Sequence, residues 1–423
     1  MKKPTVITAV DIGTTKICAI IAQMRAPGEL EVKGIGIAES CGLDKGIVKD
    51  IHRTSESIKQ AIEEAEKMAE QKAENIYAGI AGEHITSRNA TGRISISESS
   101  GKEPAEVQQE HIEAVINDAK RTVKIQQGNE NLQIIHGIPQ FFDIDNQKGI
   151  INPINMSGFH LTAHVHVVLA DMNAIRNILK CLQMAGYEER EVVLEPIASS
   201  MAVLNEDEKD LGCILLDIGG GTTDIVVLYN GSVRFSTVKP MGGSNVTHDL
   251  AIGLRTPPAS AEEIKITHGS ALASAIDEEA LIEIPGIGGR QSSSKKQHFV
   301  AEIIESRMRE IFELAYTAVF NNYNKSLMTA GVVITGGASL LANTEQLAGE
   351  VFNVPVKVGY PDLGRLTGPT SRLKSPMFAT SVGLLYYALE QLPQQDFTAP
   401  RKNTQQGLSK KLRKWFGSLS DFV

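Results

Sequence analysis

Two glycine turns of similar wording, about two hundred residues apart, constrain this chain more than any other feature. The longer lies within Cys213 to Leu228. An apolar run reaches Asp217 and Ile218, then come Gly219, Gly220, Gly221, Thr222, Thr223 and Asp224, and a second apolar run follows. Aliphatic and β-branched residues on either side of a glycine turn predict a tight β-hairpin. Glycine has no Cβ, so such a turn can adopt positive φ and let a ligand close against the backbone. Bare amides beside hydroxyls and a carboxylate suit a phosphate with its metal ion, although the same turn also serves as a plain sheet connection. Val6 to Ile21 holds the shorter copy, Asp11-Ile-Gly-Thr-Thr-Lys16, with two glycines fewer. Together the two hairpins predict duplicated halves that face each other.

A length of 423 residues suggests about two to four domains, each with its own core. Hydrophobic residues make up 42% and charged residues 22%, as expected of a soluble globular chain. The net charge of -8 does not suggest a general nucleic-acid-binding role. Charge is uneven, however: Arg401 to Val423 has six Lys/Arg against one Asp, which leaves -13 on the residues before it. Cys18, Cys41, Cys181 and Cys213 are widely spaced, which fits a reducing compartment rather than disulfides or zinc. No stretch approaches the roughly 20 apolar residues that cross a bilayer, so the body is expected to be cytoplasmic.

After the first hairpin, strands are expected at Glu31 to Glu39, Ile47 to Asp50 and Asn75 to Ala81, with a helix from Thr54 to Ala73 whose apolar face is Ile58, Ile62, Ala65 and Ala69. Between Gly82 and Thr162, short alternating strands (Gly92 to Ser97, Leu132 to Phe142) flank one helix opened by Pro104, an inserted α+β unit. His164 to Ala170 resumes strand character, and Asp171 is placed to cap a helix that Gly186 ends. Glu195 to Leu204 reads as a short helix, followed by a polar link, Asn205 to Asp210. Asp249 to Ile266 and Lys295 to Asn322 read as helices around a Gly/Ser-rich loop. Gly331 to Leu341 is a strand that runs into Gly336-Gly337-Ala338 and a new helix, where an open α/β sheet binds ligands. Neither a Walker A loop nor a G-x-G-x-x-G is present.

Asp11 to Lys16, Glu195 to Leu204, Asp217 to Asp224, Val332 to Leu341 and Pro376 to Ala388 appear in the order of the phosphate-1, connect-1, phosphate-2, adenosine and connect-2 signatures. The chain thereby resembles the actin-fold nucleotide-binding superfamily. The resemblance implies an α/β, actin-like two-lobed fold with ATP in the cleft. Gly13, Thr14, Thr15 and Lys16 would hold phosphates from one side, and Gly219, Gly220, Gly221 and Thr222 from the other. Asp11 and Asp217 would hold Mg²⁺ through water, because Mg²⁺ dehydrates reluctantly. Glu262 and Lys265 match the adenosine-contacting pair, with Gly336 and Gly337 across the base; the lesser alternative for two residues three apart on a helix is a surface salt bridge. Glu195 matches the residue that orients the attacking water, and beside Pro196 it equally suits a helix start.

From Gly407 to Val423, Leu408, Leu412, Trp415, Phe416 and Leu419 recur at steps of three and four, and Lys410, Lys411, Arg413 and Lys414 lie on or beside the other face. A basic amphipathic helix of this kind lies in a membrane interface, its cations adding about 1 kcal/mol each at an anionic surface, although the same pattern also serves a helix that docks on a core or a partner. Actin-like lobes, an inserted domain and this tail together resemble the FtsA family of bacterial cell-division proteins.

That resemblance implies a first-lobe core of residues 1–81 and 163–204 completed by about 371–390, an inserted subdomain at 82–162, and a second-lobe core of 205–248 and 307–370. It further implies a smaller subdomain at 249–306, a flexible linker at 391–406 and a membrane-binding helix at 407–423. The implied work is to tether the FtsZ ring, through the FtsZ C-terminal peptide, to the inner face of the plasma membrane at the septum. Self-association into filaments and recruitment of other division proteins come with it, and at most a weak ATPase activity. A carbohydrate kinase of the same superfamily and an FtsA-like pilus-assembly adaptor are the rival expectations.

Overall fold

The computed structural model describes residues 5–97, 103–127 and 131–391. Its two lobes are built on sheets of matching strand order. In the first, Val6–Ile12, Lys16–Ala26 and Glu29–Glu39 form an antiparallel meander, and Ile76–Ile80 and Glu189–Leu194 extend it in parallel beyond Val6–Ile12. In the second, Cys213–Ile218, Thr223–Tyr229 and Ser232–Lys239 make the meander, and Gly331–Thr335 and Val356–Val358 form the parallel extension. Ile76–Ile80 and Gly331–Thr335, each between two parallel neighbours, are buried throughout, and so is Cys213–Ile218 at the middle of its sheet.

Two helices join the lobes. Glu195–Val203 and Ala379–Gln391 cross so closely that a Cβ on Gly383 would stand 1.9 Å from the Ala198 carbonyl oxygen. Their apolar side chains merge with the first-lobe core around Ile197, Ala202, Val382 and Leu385, and that core also takes in Leu215, Val226 and Val333 of the second sheet.

The inserted unit is a four-stranded sheet, ordered Gln147–Ile150, Leu132–Ile144, His160–Asp171, Ile85–Ser95, under helix Gln109–Gln127. Its core includes Ile112, Val115, Ala119, Phe142 and Val165. Side chains of this sheet also meet the second lobe along Ser232–Lys239. Ser87 Oγ donates to the Ser236 carbonyl at 2.6 Å, Asn89 Nδ2 to Arg234 at 3.1 Å and Gln140 Nε2 to Val233 at 2.9 Å. His166 is buried between Asn89 Oδ1 at 2.8 Å and Ser236 Oγ at 2.9 Å.

Several boundaries differ from the sequence expectation. The insert runs past residue 162, since His160–Asp171 pairs along its length with Ile85–Ser95. Its helix starts at Gln109 rather than near Pro104, because Ala105–Glu106 pairs with Ser157–Gly158 and Val107 bonds to Met156. The helix expected from Thr54 begins at Ile51, where Asp50 accepts the Arg53 amide at 3.1 Å, and it ends at left-handed Glu70. Asn205 to Asp210 is no link: Asn205 and Glu208 form a reciprocal capping box that opens helix Glu206–Leu211. Asp249 to Ile266 is two helices, Gly243–Leu254 and Pro258–His268, broken by left-handed Arg255 and Pro257. The chain returns to the first sheet at Leu366–Thr367, ahead of residue 371.

Candidate functional site

Both glycine turns are hairpins, and they touch. In the first, the Gly13 amide donates to the Lys16 carbonyl at 3.1 Å; in the second, Gly219 donates to Thr222 at 2.9 Å. The missing Cβ of Gly220 faces Thr15, with Cγ2 at 2.3 Å, and that of Gly221 faces Thr14, with Oγ1 at 2.7 Å. Glycine on one loop is thus set against threonine on the other. The second loop is held from behind, where the Gly219 and Gly220 carbonyls accept from the Gly243 amide at 2.9 Å and the Ser244 amide at 2.7 Å. Lys16 reaches instead toward the joint between the lobes: its Nζ donates to the Met377 carbonyl at 2.6 Å and lies 4.1 Å from the Phe378 ring centre.

Four carboxylates gather beside these loops. Asp11, Asp217, Asp224 and Glu195 are all buried. Ser199 Oγ donates to Asp217 Oδ2 at 2.5 Å, Thr222 Oγ1 to Asp224 Oδ2 at 3.3 Å and Ser381 Oγ to Asp11 Oδ2 at 2.9 Å. Burial is the first cause that raises every one of the four, and repulsion among them adds to it for Glu195, Asp224 and Asp217. The Asp217 carboxyl is pushed up to about 6. Glu195 Oε1 and Asp224 Oδ1 are buried without any hydrogen-bond partner. Pooled, desolvated carboxylates with orphaned oxygens are the surroundings a hydrated cation would stabilise. Among the described residues, no group of three or more His, Cys, Asp or Glu is arranged to hold a metal ion directly.

The residues expected to meet a nucleoside come from three segments. Lys265 Nζ donates to Glu262 Oε2 at 2.7 Å, to Thr247 Oγ1 at 2.8 Å and to the Gly243 carbonyl at 3.1 Å, and Thr247 also bonds to Glu262. Glu262 and Lys265 therefore form a salt bridge, but one tied into the helix that backs the second loop. A Cβ on Gly243 would lie 3.4 Å from Ala338 Cβ, which brings the Gly336–Ala338 turn to the same place. Gly336 has φ +84, and a Cβ there would stand 2.4 Å from Asp217 Oδ1; at Gly337 the corresponding space is open.

The expected residues of the two hairpins, of the Glu262–Lys265 pair and of the Gly336 turn thus lie next to one another, while the Lys16 side chain turns to Met377 and Phe378. Sequence reading missed five partners. Asp224 was legible as the second aspartate of its motif. Thr247, Ser199, Ser381 and Thr380, whose Oγ1 donates to Asp217 Oδ2 at 3.1 Å, give no local signal, since small hydroxyls in helices serve equally as packing residues. Leu408, Lys410, Lys411, Leu412, Arg413, Lys414, Trp415, Phe416 and Leu419 lie outside the described residues. Among the described residues no helix is long and apolar enough to cross a membrane.

A family model described as Cell division protein FtsA matches residues 214–383, and one described as the SHS2 domain inserted in FtsA matches 82–169. The cell division protein FtsA of Pseudomonas aeruginosa is 41% identical over 384 residues, covering 91% of this chain and 89% of that one. The chain belongs to the FtsA family of cell division proteins. FtsA of Escherichia coli is similarly related, 35% identical over 91% of this chain and 90% of its own. Among solved structures, the PilM–PilN type IV pilus biogenesis complex matches with a TM-score of 0.63 at 16% identity, covering 90% of this chain and 98% of that one. MreB5 of Spiroplasma citri bound to AMPPNP matches at 0.51 and 14% identity, covering 90% and 95%. At these identities the two structures speak for the actin-like fold alone. The FtsA-family insert ends at residue 169 in the matched span, in keeping with the strand His160–Asp171.

Proposed function

We propose that this FtsA-family protein binds ATP with Mg²⁺ between its lobes and, in that state, tethers the FtsZ ring to the membrane, self-associates and recruits later division proteins. The observation that carries the nucleotide reading is the apposition of the two hairpin loops, Gly220 against Thr15 and Gly221 against Thr14, beside four buried carboxylates. The loop amides and hydroxyls of Gly13 to Thr15 and Gly219 to Thr222 would bind phosphate oxygens. Asp11 and Asp217 would orient the water shell of Mg²⁺, which supplies charge neutralisation at the phosphates. Glu262, Lys265, Gly336 and Gly337 would enclose the nucleoside. Glu195, buried with Oε1 free of any hydrogen-bond partner, would hold a water for hydrolysis.

Partner contacts follow from the family and from surface chemistry. We assign the docking of the FtsZ C-terminal peptide to the segment 249–306, which carries five exposed large hydrophobic residues: Ile252, Ile266, Leu281, Ile287 and Phe299. Membrane attachment rests on the amphipathic pattern of 407–423.

The experiment is ATP titration by calorimetry with and without Mg²⁺, followed by flotation with anionic vesicles in the presence of FtsZ. Mg²⁺-dependent ATP binding and ATP-sensitive recruitment of FtsZ are expected. Rapid ATP turnover stimulated by a sugar, or failure to bind ATP at all, would sink the reading.

A further inference from the structure

Thr380 and Ser381 are neighbours in the first turn of helix Ala379–Gln391, and both are buried. Consecutive helical residues point about 100° apart, so their hydroxyls diverge. Each finds the loop aspartate of a different lobe. Thr380 Oγ1 donates to Asp217 Oδ2 at 3.1 Å, and Ser381 Oγ donates to Asp11 Oδ2 at 2.9 Å. Ser199 Oγ reaches the same Asp217 oxygen at 2.5 Å and stands 2.9 Å from Thr380 Oγ1. Oδ1 of each aspartate lies toward a loop glycine: a Cβ on Gly13 would be 4.0 Å from Asp11 Oδ1, and one on Gly336 would be 2.4 Å from Asp217 Oδ1. Each of the three bonds to an aspartate uses its Oδ2 atom.

We propose that Thr380 and Ser381 are positioning residues for the cation of the bound nucleotide. Each fixes the rear oxygen of one aspartate, which turns the other toward the cleft. Because they are adjacent on a single helix, they also fix the spacing between an aspartate of the first lobe and one of the second. The helix acts as a gauge across the cleft, and only a cation-and-phosphate group of the matching size meets both aspartates together. This inference rests on the Mg²⁺–ATP reading above. A merely structural role would be to satisfy buried carboxylates, and that role would change stability without changing the metal requirement.

The test is ATP affinity measured over a Mg²⁺ series, from chelator to millimolar, for the full chain and for Thr380→Val, Ser381→Ala and Thr380→Ser. The Mg²⁺ concentration for half-maximal tightening is expected to rise roughly 10–100-fold in Thr380→Val and Ser381→Ala, as for other residues that orient a metal's ligands. Thr380→Ser, which keeps the hydroxyl, is expected to retain the wild-type midpoint, and ATP affinity in chelator is expected to stay level throughout. Ser381→Ala removes one oxygen atom from a buried position and keeps the question open to measurement should Thr380→Val fail to fold. An unchanged midpoint in a folded variant lacking either hydroxyl overturns the proposal. Absence of any Mg²⁺ effect in the unaltered chain would instead overturn the nucleotide reading beneath it, and the two failures are distinguishable.

Discussion

Gly220 and Thr15 are set so close that no side chain fits between them: a Cβ on Gly220 would meet Thr15 Cγ2 at 2.3 Å and Oγ1 at 2.8 Å. They belong to opposite lobes, so a larger residue at 220 either displaces the Thr15 side chain from the loop or pushes the hairpins apart. Gly220→Val is therefore expected to abolish ATP binding while the separate cores of the lobes stay folded. Calorimetric titration with ATP, alongside circular dichroism, checks this; wild-type affinity in the variant would refute the loop assignment.

Asp217 gives the ligand-free protein a defined pH response. Its folded-state value of about 6 lies above the ordinary 3.8, so the native state holds more protons than the unfolded chain between those limits. The stability from this group is complete below the ordinary value and is lost as pH rises through about 6, an effect of up to about 3 kcal/mol. Asp217→Asn is expected to be more stable than wild type at pH 7.5 without ligand, and to lose Mg²⁺-dependent tightening of ATP. Urea unfolding at pH 5 and pH 7.5, with and without Mg²⁺, measures both.

His166 works in the opposite direction. Burial lowers its folded-state value to about 3, so it is neutral where it lies between Asn89 and Ser236. The unfolded chain binds the extra proton below about 6.5, and this contribution to stability falls as pH drops from there toward 3. His166→Ala, which leaves a cavity and strands buried polar atoms, is expected to cost about 2–4 kcal/mol. Denaturant midpoints at pH 7 test the loss, and a shallower acid limb in the variant tests its cause.

Deletion of 407–423 is expected to leave ATP affinity intact and to abolish sedimentation with anionic vesicles. Continued vesicle binding by the shortened chain would refute the membrane assignment. Restoration of binding by the seventeen residues fused to an unrelated soluble protein would support it.

Much of this molecule was legible in the sequence, and the exceptions share a cause. Both hairpins, the parallel strand before Gly336 and the capped helix after Asp171 are local patterns in which residue type and conformation agree. Asn205 to Asp210 misled because its acidic, polar residues suit a link as well as a first helical turn, and only the reciprocal bonds between Asn205 and Glu208 decide. Pro104 misled because a proline that precedes a helix need not begin it; the two-residue strand at Ala105–Glu106 intervenes. Thr380 and Ser381 were out of reach for another reason. Their partners are 163 and 370 residues away, and no local pattern records a contact between segments so distant in the chain.

The seam between the insert and Ser232–Lys239 has a consequence for how copies of this chain can meet. Side chains of Ser87, Asn89 and Gln140 occupy carbonyls that an edge strand would otherwise offer to a neighbour. At the far side of the same sheet, the edge strand Val356–Val358 is three residues long and carries Lys357, which pairs with Glu208 at 2.6 Å. One border is occupied and the other is short and charged, so the second-lobe sheet is a poor template for growth by strand addition. A second copy of the chain therefore finds no free strand border on this sheet to pair with.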